Sequence, residues 1–158
     1  MKAKSAQGFT LVELIVVILL LAIVSMYATS RMFGRDSVAA MVIQEQVISV
    51  VRQVQVNRMQ SNLPISGASN TNFTLSVLPS CVGSQRACSL RSDARSDWVS
   101  SQDGVAFSVN TGSAINFDLL GNPIGSAASG AVITIAAQAQ SCQVEINSQG
   151  YVFSGGCS

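Results

Sequence analysis

Two hydrophobic patterns divide the chain. From Phe9 to about Tyr27 nearly every residue is apolar, with one acid, Glu13, near the start and no base until Arg31. A run of about twenty such residues is long enough to cross a bilayer as a helix. The helical pattern continues beyond it. Ser30 to Asn62 contains no Pro and a single Gly, Gly34, and from Ala40 the apolar positions Ile43, Val47, Val50 and Val54 recur at intervals of three and four. Glu45, Arg52 and Arg58 are interspersed among them, so this half is amphipathic and should lay one face against a head domain. Leu63-Pro64 should end the helix, because proline disfavours helical geometry in the residue before it. The pattern thus predicts a short polar segment over 1–8, one long helix over 9–62 with its membrane-spanning half at about 9–28, and a globular head over 63–158.

From Ile65 onward the period changes to two. Phe73, Leu75 and Val77 alternate with Thr74 and Ser76, and Val105 to Val109 reads as a second strand. Asn110-Thr111-Gly112-Ser113 turns the chain into a strand over Ala114 to Leu119, which Gly121-Asn122-Pro123 breaks. Ala131 to Ala136 is a further strand, and Cys142 to Ile146 should pair with Tyr151 to Phe153 across Asn147-Ser148-Gln149-Gly150. The expected fold is α+β: a long amino-terminal helix whose second half packs on one mostly antiparallel sheet, a meander, in two layers.

The start of the apolar run carries the most specific signal. Met1 to Gln7 holds two lysines and small or polar residues, Gly8 follows, and the run begins at once with Phe9. A secretory signal is cut after its apolar run, and would need small residues there. Met26-Tyr27-Ala28 offers Ala28 but a bulky Met26 two residues earlier. The run is better read as a permanent part of the product, with the cut before it. Lys2 and Lys4 stay cytoplasmic by the positive-inside rule, so the rest emerges outside. A carboxylate inside a bilayer costs about 2.5–3.5 kcal/mol at the centre and less near the interface. Glu13 therefore calls for a partner.

Gly8-Phe9-Thr10-Leu11-Val12-Glu13 followed by the run Ile15 to Val24 closely resembles the amino-terminal signature of type IV prepilins. The resemblance implies cleavage between Gly8 and Phe9 by a dedicated membrane peptidase, N-methylation of Phe9, and a filament-assembly role for Glu13. There Glu13 would meet the amino terminus of a neighbouring subunit, an attraction that is strong in low dielectric. The family often carries a proline about twenty residues into the mature helix; Ser30 stands in that place here. Met1 to Val17 together with Val47 to Asn62 is most similar to minor pilins of the mannose-sensitive haemagglutinin (MSHA) pilus. That similarity implies pilus assembly, surface attachment and biofilm formation. The implied partners are other pilins in a filament, the prepilin peptidase, the inner membrane and its assembly platform. The implied location is the inner membrane, single-pass with a periplasmic head, and then a surface pilus. A type II secretion pseudopilin would share the anchor, and a DNA-uptake minor pilin would add a basic head.

Composition narrows the chemistry. The 158 residues carry a formal net charge of +1, but Lys2 and Lys4 are the only lysines, and both lie in the leader. Without them seven arginines face eight acids, a side-chain balance of −1. A near-neutral surface argues against general attraction to nucleic acid. There is no histidine, which removes Ser-His and Cys-His nucleophiles and the commonest metal ligand. No enzyme activity, cofactor or metal is expected.

Cys81, Cys88, Cys142 and Cys157 form an even set beyond the anchor, as expected of disulfides in an oxidising compartment. Of three possible pairings, Cys81–Cys88 and Cys142–Cys157 each close a local loop, and on the loop-entropy account would contribute about 2.5 and about 3 kcal/mol. A four-thiolate zinc site lacks any C-x-x-C spacing.

Other residues have plainer readings. Arg86, Arg91 and Arg95 could grip phosphate, but Asp93 and Asp97 are interleaved, which favours solvated or paired loop charge over contact with DNA or a partner pilin. Trp98 reads as a plug under that loop rather than a ligand platform. Asp93, Asp97 and Asp103 match no EF-hand spacing. Phe117-Asp118-Leu119-Leu120-Gly121-Asn122-Pro123 resembles the F-D-x-x-G-x-P turn of minor pilins and small pseudopilins, where the Asp and Asn satisfy turn backbone and Gly and Pro set the angles.

Overall fold

The computed structural model describes residues 9–63, 70–101, 104–138 and 140–158, with only the backbone for 29–38. Helix α1 runs Leu11–Met59. Thr10 precedes it, with its hydroxyl accepting from the Glu13 N–H (3.3 Å) and its carbonyl from the Leu14 N–H (3.2 Å). Thr10-Leu11-Val12-Glu13 therefore has the spacing of a capping box, and an acid in the first turn suits the positive end of the helix dipole. The helix ends at Met59 rather than near Asn62. Ser61 closes on the Arg58 carbonyl with both its N–H (3.1 Å) and its hydroxyl (2.7 Å), replacing the next helical turn.

The chain divides into two compact units, residues 1–35 and 36–158. In the first, Leu11–Ala28 is apolar enough to cross a membrane, with mean hydropathy 2.7 and none of it buried. Its large apolar residues are exposed.

The second unit holds the hydrophobic core. Here α1 contributes Ile43, Val47, Val50, Val51 and Val54, all buried on one face. The first sheet is built from β1 (Leu75–Leu78), β2 (Cys81–Ser84), β3 (Trp98–Ser100), β5 (Ala114–Phe117) and β6 (Pro123–Ile124), in the order β3-β2-β1-β5-β6. The second contains β4 (Ala106–Val109), β7 (Ala131–Ala136), β8 (Ser141–Ile146) and β9 (Val152–Cys157), in the order β4-β7-β8-β9. All the pairings are antiparallel. Leu75, Ile115 and Phe117 of one sheet and Ile133, Ile135, Val144 and Ile146 of the other join the α1 residues in a single apolar cluster.

The fold class is the expected α+β, but the single sheet is corrected to two. The turn at Asn110–Ser113 is present, yet its flanking strands part. Asn110 is tied to β7 by its N–H to the Val132 carbonyl (3.2 Å) and by its Oδ1 to the Val132 N–H (2.9 Å). Ser113 accepts from the Val77 N–H of β1 at 2.8 Å. Long-range partners thus draw β4 and β5 into different sheets.

Other departures are local. Phe73 lies in the turn before β1, and Leu119 falls in the turn after β5. The short β2, helix α2 (Gln85–Leu90) and β3 escape a reading by periodicity. Ser84 caps α2 through its hydroxyl (3.1 Å to the Ala87 N–H), and Arg91 ends it at φ 48°.

Candidate functional site

The amino-terminal segment is the first candidate. Gly8, and with it the proposed cleavage point, lies outside the described residues. Phe9 is 78% exposed. Glu13 sits in the first helical turn with an exposed side chain, and its own N–H is capped by Thr10. The capping role of Thr10 has a signal in the sequence, the Thr-x-x-Glu spacing to Glu13. Next to this segment the helix presents Leu11, Val12, Leu14 and Ile15 as exposed apolar surface. Such a surface is unstable in water and satisfied by lipid or by another helix of the same kind.

On the head, α1 is joined to the sheets by polar side chains as well as by packing. Gln44 donates to the carbonyls of Gln143 (2.6 Å) and Gly155 (3.1 Å). Arg52 donates to Val152 O (2.7 Å), and Gln55 bridges Gly121 O (3.0 Å) and Gly150 O (2.8 Å). Arg58, expected among the interspersed polar positions, is instead 1% exposed, and reaches Phe117 O (3.0 Å), Leu63 O (3.1 Å) and Ser61 Oγ (2.8 Å). The buried amide groups of Gln44 and Gln55 and the Nε of Arg58 thus each donate to a backbone carbonyl. Gln44 and Gln55 lie about three turns apart, on one phase of the helix. That phase was readable in the sequence, but a carbonyl partner cannot be inferred from spacing alone.

The Asp118 turn is the structural element its resemblance implied. Asp118 Oδ1 accepts from the N–H groups of Leu120 and Asn122, both at 2.8 Å, and Oδ2 accepts from Asn122 Nδ2 at 2.9 Å. Gly121 adopts φ +86°, open to glycine at no steric cost. Burial pushes the Asp118 carboxyl up, but the bonds from Asn122, Leu120 and Gly121 outweigh it and hold it below its ordinary range.

The arginine loop resolves into separate roles. Arg95 forms a two-point ion pair with Asp97, at 2.9 Å from Nε and 2.7 Å from Nη2. Asp97 also accepts from the Ser84 hydroxyl at 2.5 Å. Desolvation raises the Asp97 carboxyl, and the bonds from Arg95 and Ser84 more than reverse it. Arg91 reaches Ser80 Oγ at 2.8 Å, and Arg86 is exposed. Asp93 is exposed too, whereas Asp103 lies outside the described residues. Trp98 is half-buried and anchors the loop through Nε1 to Ser92 O at 3.1 Å. Among the described residues no group of three metal-ligating side chains forms.

Cys81 is joined to Cys88 and Cys142 to Cys157, with Cα separations of 5.8 and 4.1 Å. The first bridge ties β2 to α2, and the second ties the outer end of β9 to the start of β8.

Comparison with known proteins isolates the same segment. Residues 3–29 match the family model of the prokaryotic N-terminal methylation motif. No curated protein and no solved structure matches the chain. The matched stretch, with its capped first turn and exposed apolar helix, is a prepilin-type amino terminus, the motif of type IV pilin-like and pseudopilin proteins, a structural and non-enzymatic class suited to membrane anchoring.

Proposed function

We propose that the chain is a minor pilin subunit of a type IV pilus of the MSHA type. It is cut between Gly8 and Phe9 by prepilin peptidase, methylated at Phe9, and held in the inner membrane with its head in the periplasm. From there the assembly platform draws it into a filament with other pilins, which serves surface attachment and biofilm formation. The observation that carries this reading is the prepilin motif at residues 3–29 feeding an apolar helix, Leu11–Ala28, that is wholly exposed. The acid at Glu13, beside that surface and in no ion pair among the described residues, gives an entering subunit a reason to seek the free amine of its neighbour.

A type II secretion pseudopilin shares this amino terminus. The similarity of Val47 to Asn62 to MSHA minor pilins favours the pilus. A DNA-uptake role is disfavoured by the arginine loop, where Arg95 is already paired with Asp97. The deciding experiment is mass spectrometry of the protein from sheared filaments and from inner membrane. A mature chain starting at N-methylated Phe9, present in filaments, supports the reading. A chain starting near Thr29 means an ordinary secretory signal. A processed chain confined to the membrane during active exoprotein secretion means a pseudopilin.

A further inference from the structure

The second sheet turns one face to the core and the other outward, and the outward face holds a cleft. Its volume is about 340 Å³, and Asn110, Gly130, Val132, Glu145, Asn147 and Phe153 line it. The register explains the gathering. Val132 pairs with Glu145, and Glu145 pairs with Phe153, so these three side chains form one row across β7, β8 and β9. Tyr151 stacks on Phe153, with ring centroids 5.5 Å apart and planes at 20°.

Glu145 is the one charged side chain lining the cleft, and it is half-buried. Its carboxylate has no hydrogen bond or ion pair among the described residues. Both asparagines are committed through their carbonyl oxygens: Asn110 Oδ1 to the Val132 N–H (2.9 Å), and Asn147 Oδ1 to the N–H groups of Gln149 (3.0 Å) and Tyr151 (2.8 Å). Room for the acid is left by Gly155, where a Cβ would stand 3.0 Å from Glu145 Oε1. The cleft therefore offers an uncompensated anion beside an aromatic pair.

We propose that this cleft binds an organic cation, a primary ammonium or guanidinium group, held by the Glu145 carboxylate and the aromatic side chain of Phe153. A cation at this point supplies the counter-charge that Glu145 lacks and gains from the electron-rich face of a ring. A neutral polyol would shield the carboxylate from water without neutralising it, which is costly. A metal ion would find a single carboxylate, too few ligands for a hard cation.

The test uses the full chain in detergent micelles, labelled at phenylalanine, and follows the Phe153 resonance by NMR. The probes are n-butylammonium, n-propylguanidinium, the neutral isostere butanamide, methyl glucoside, and a tripeptide blocked at both ends with a central lysine. Saturable shifts are expected with the cations and not with the neutral probes. Glu145→Gln, which keeps the shape, should weaken cation binding by about tenfold or more while leaving the thermal midpoint unchanged. Phe153→Leu should weaken it by a few fold. Tighter binding of the tripeptide than of butylammonium identifies the source as a protein side chain, and the reverse identifies a free amine. No saturable shift with either cation, equal binding by Glu145→Gln, or saturation by methyl glucoside instead would overturn the proposal.

Discussion

Arg58 Nε donates to the Phe117 carbonyl at 3.0 Å, linking the last turn of α1 to the end of β5 just where the Asp118 turn begins. The same guanidinium holds Leu63 O and Ser61 Oγ, while its Nη2 has no hydrogen bond among the described residues. A buried cation is costly, and here its cost is offset by carbonyls and by the negative end of the helix. Arg58→Met keeps the bulk but strands those acceptors. It should lower the stability of the head by roughly 2–4 kcal/mol. Arg58→Lys should recover only part of this, because an ammonium cannot fork between Phe117 and Leu63. Urea unfolding of the detergent-solubilised protein reads both, and an unchanged midpoint for Arg58→Met would show that the cluster contributes nothing.

Acid should loosen the Asp118 turn. The folded-state carboxyl titrates below its unfolded value, so its contribution is complete above the unfolded pKa, about 3.9, and fades as pH falls through the lower folded value. Asp97 has the same sign. Asp118→Asn should therefore be less stable than wild type at neutral pH, with the gap closing at pH values under about 4. Thermal melts across pH check this; a gap that widens in acid would contradict the assignment.

The bridge between Cys142 and Cys157 holds the last strand, and Gln44 braces the same region through Gly155 O. Cys142→Ser should cost the head up to about 3 kcal/mol and expose the carboxyl-terminal strand to protease. Non-reducing peptide mapping should recover Cys142 with Cys157 and Cys81 with Cys88. Recovery of Cys81 with Cys157 would reject the pairing.

Glu13→Val separates anchoring from assembly. A valine inserts into lipid more readily than an acid, so membrane insertion and processing after Gly8 should persist. Entry into filaments should fail, because an incoming amine no longer finds a carboxylate. Probing sheared filaments and inner membrane separately measures this. Normal entry of the variant would rule out charge pairing as the assembly signal.

Local pattern by itself determined the apolar helix, its amphipathic continuation, most strands of the second sheet, and the turn around Asp118. Each depends on neighbours along the chain: a period of 3.6 or 2, a cap, a glycine at positive φ. The prepilin motif is legible for the same reason, since it is contiguous. What only the tertiary structure decided depends on partners distant in sequence. Arg58 looked like a surface charge because nothing near it announces the Phe117 carbonyl. Glu145 carries no signal of its own in the sequence, and only the register places it between Val132 and Phe153. The division into two sheets followed from Asn110 bonding to Val132 and Ser113 to Val77, contacts made across the fold. Hydrogen bonds to carbonyls leave no periodic trace, because every residue carries a carbonyl and only the folded chain selects which one is met.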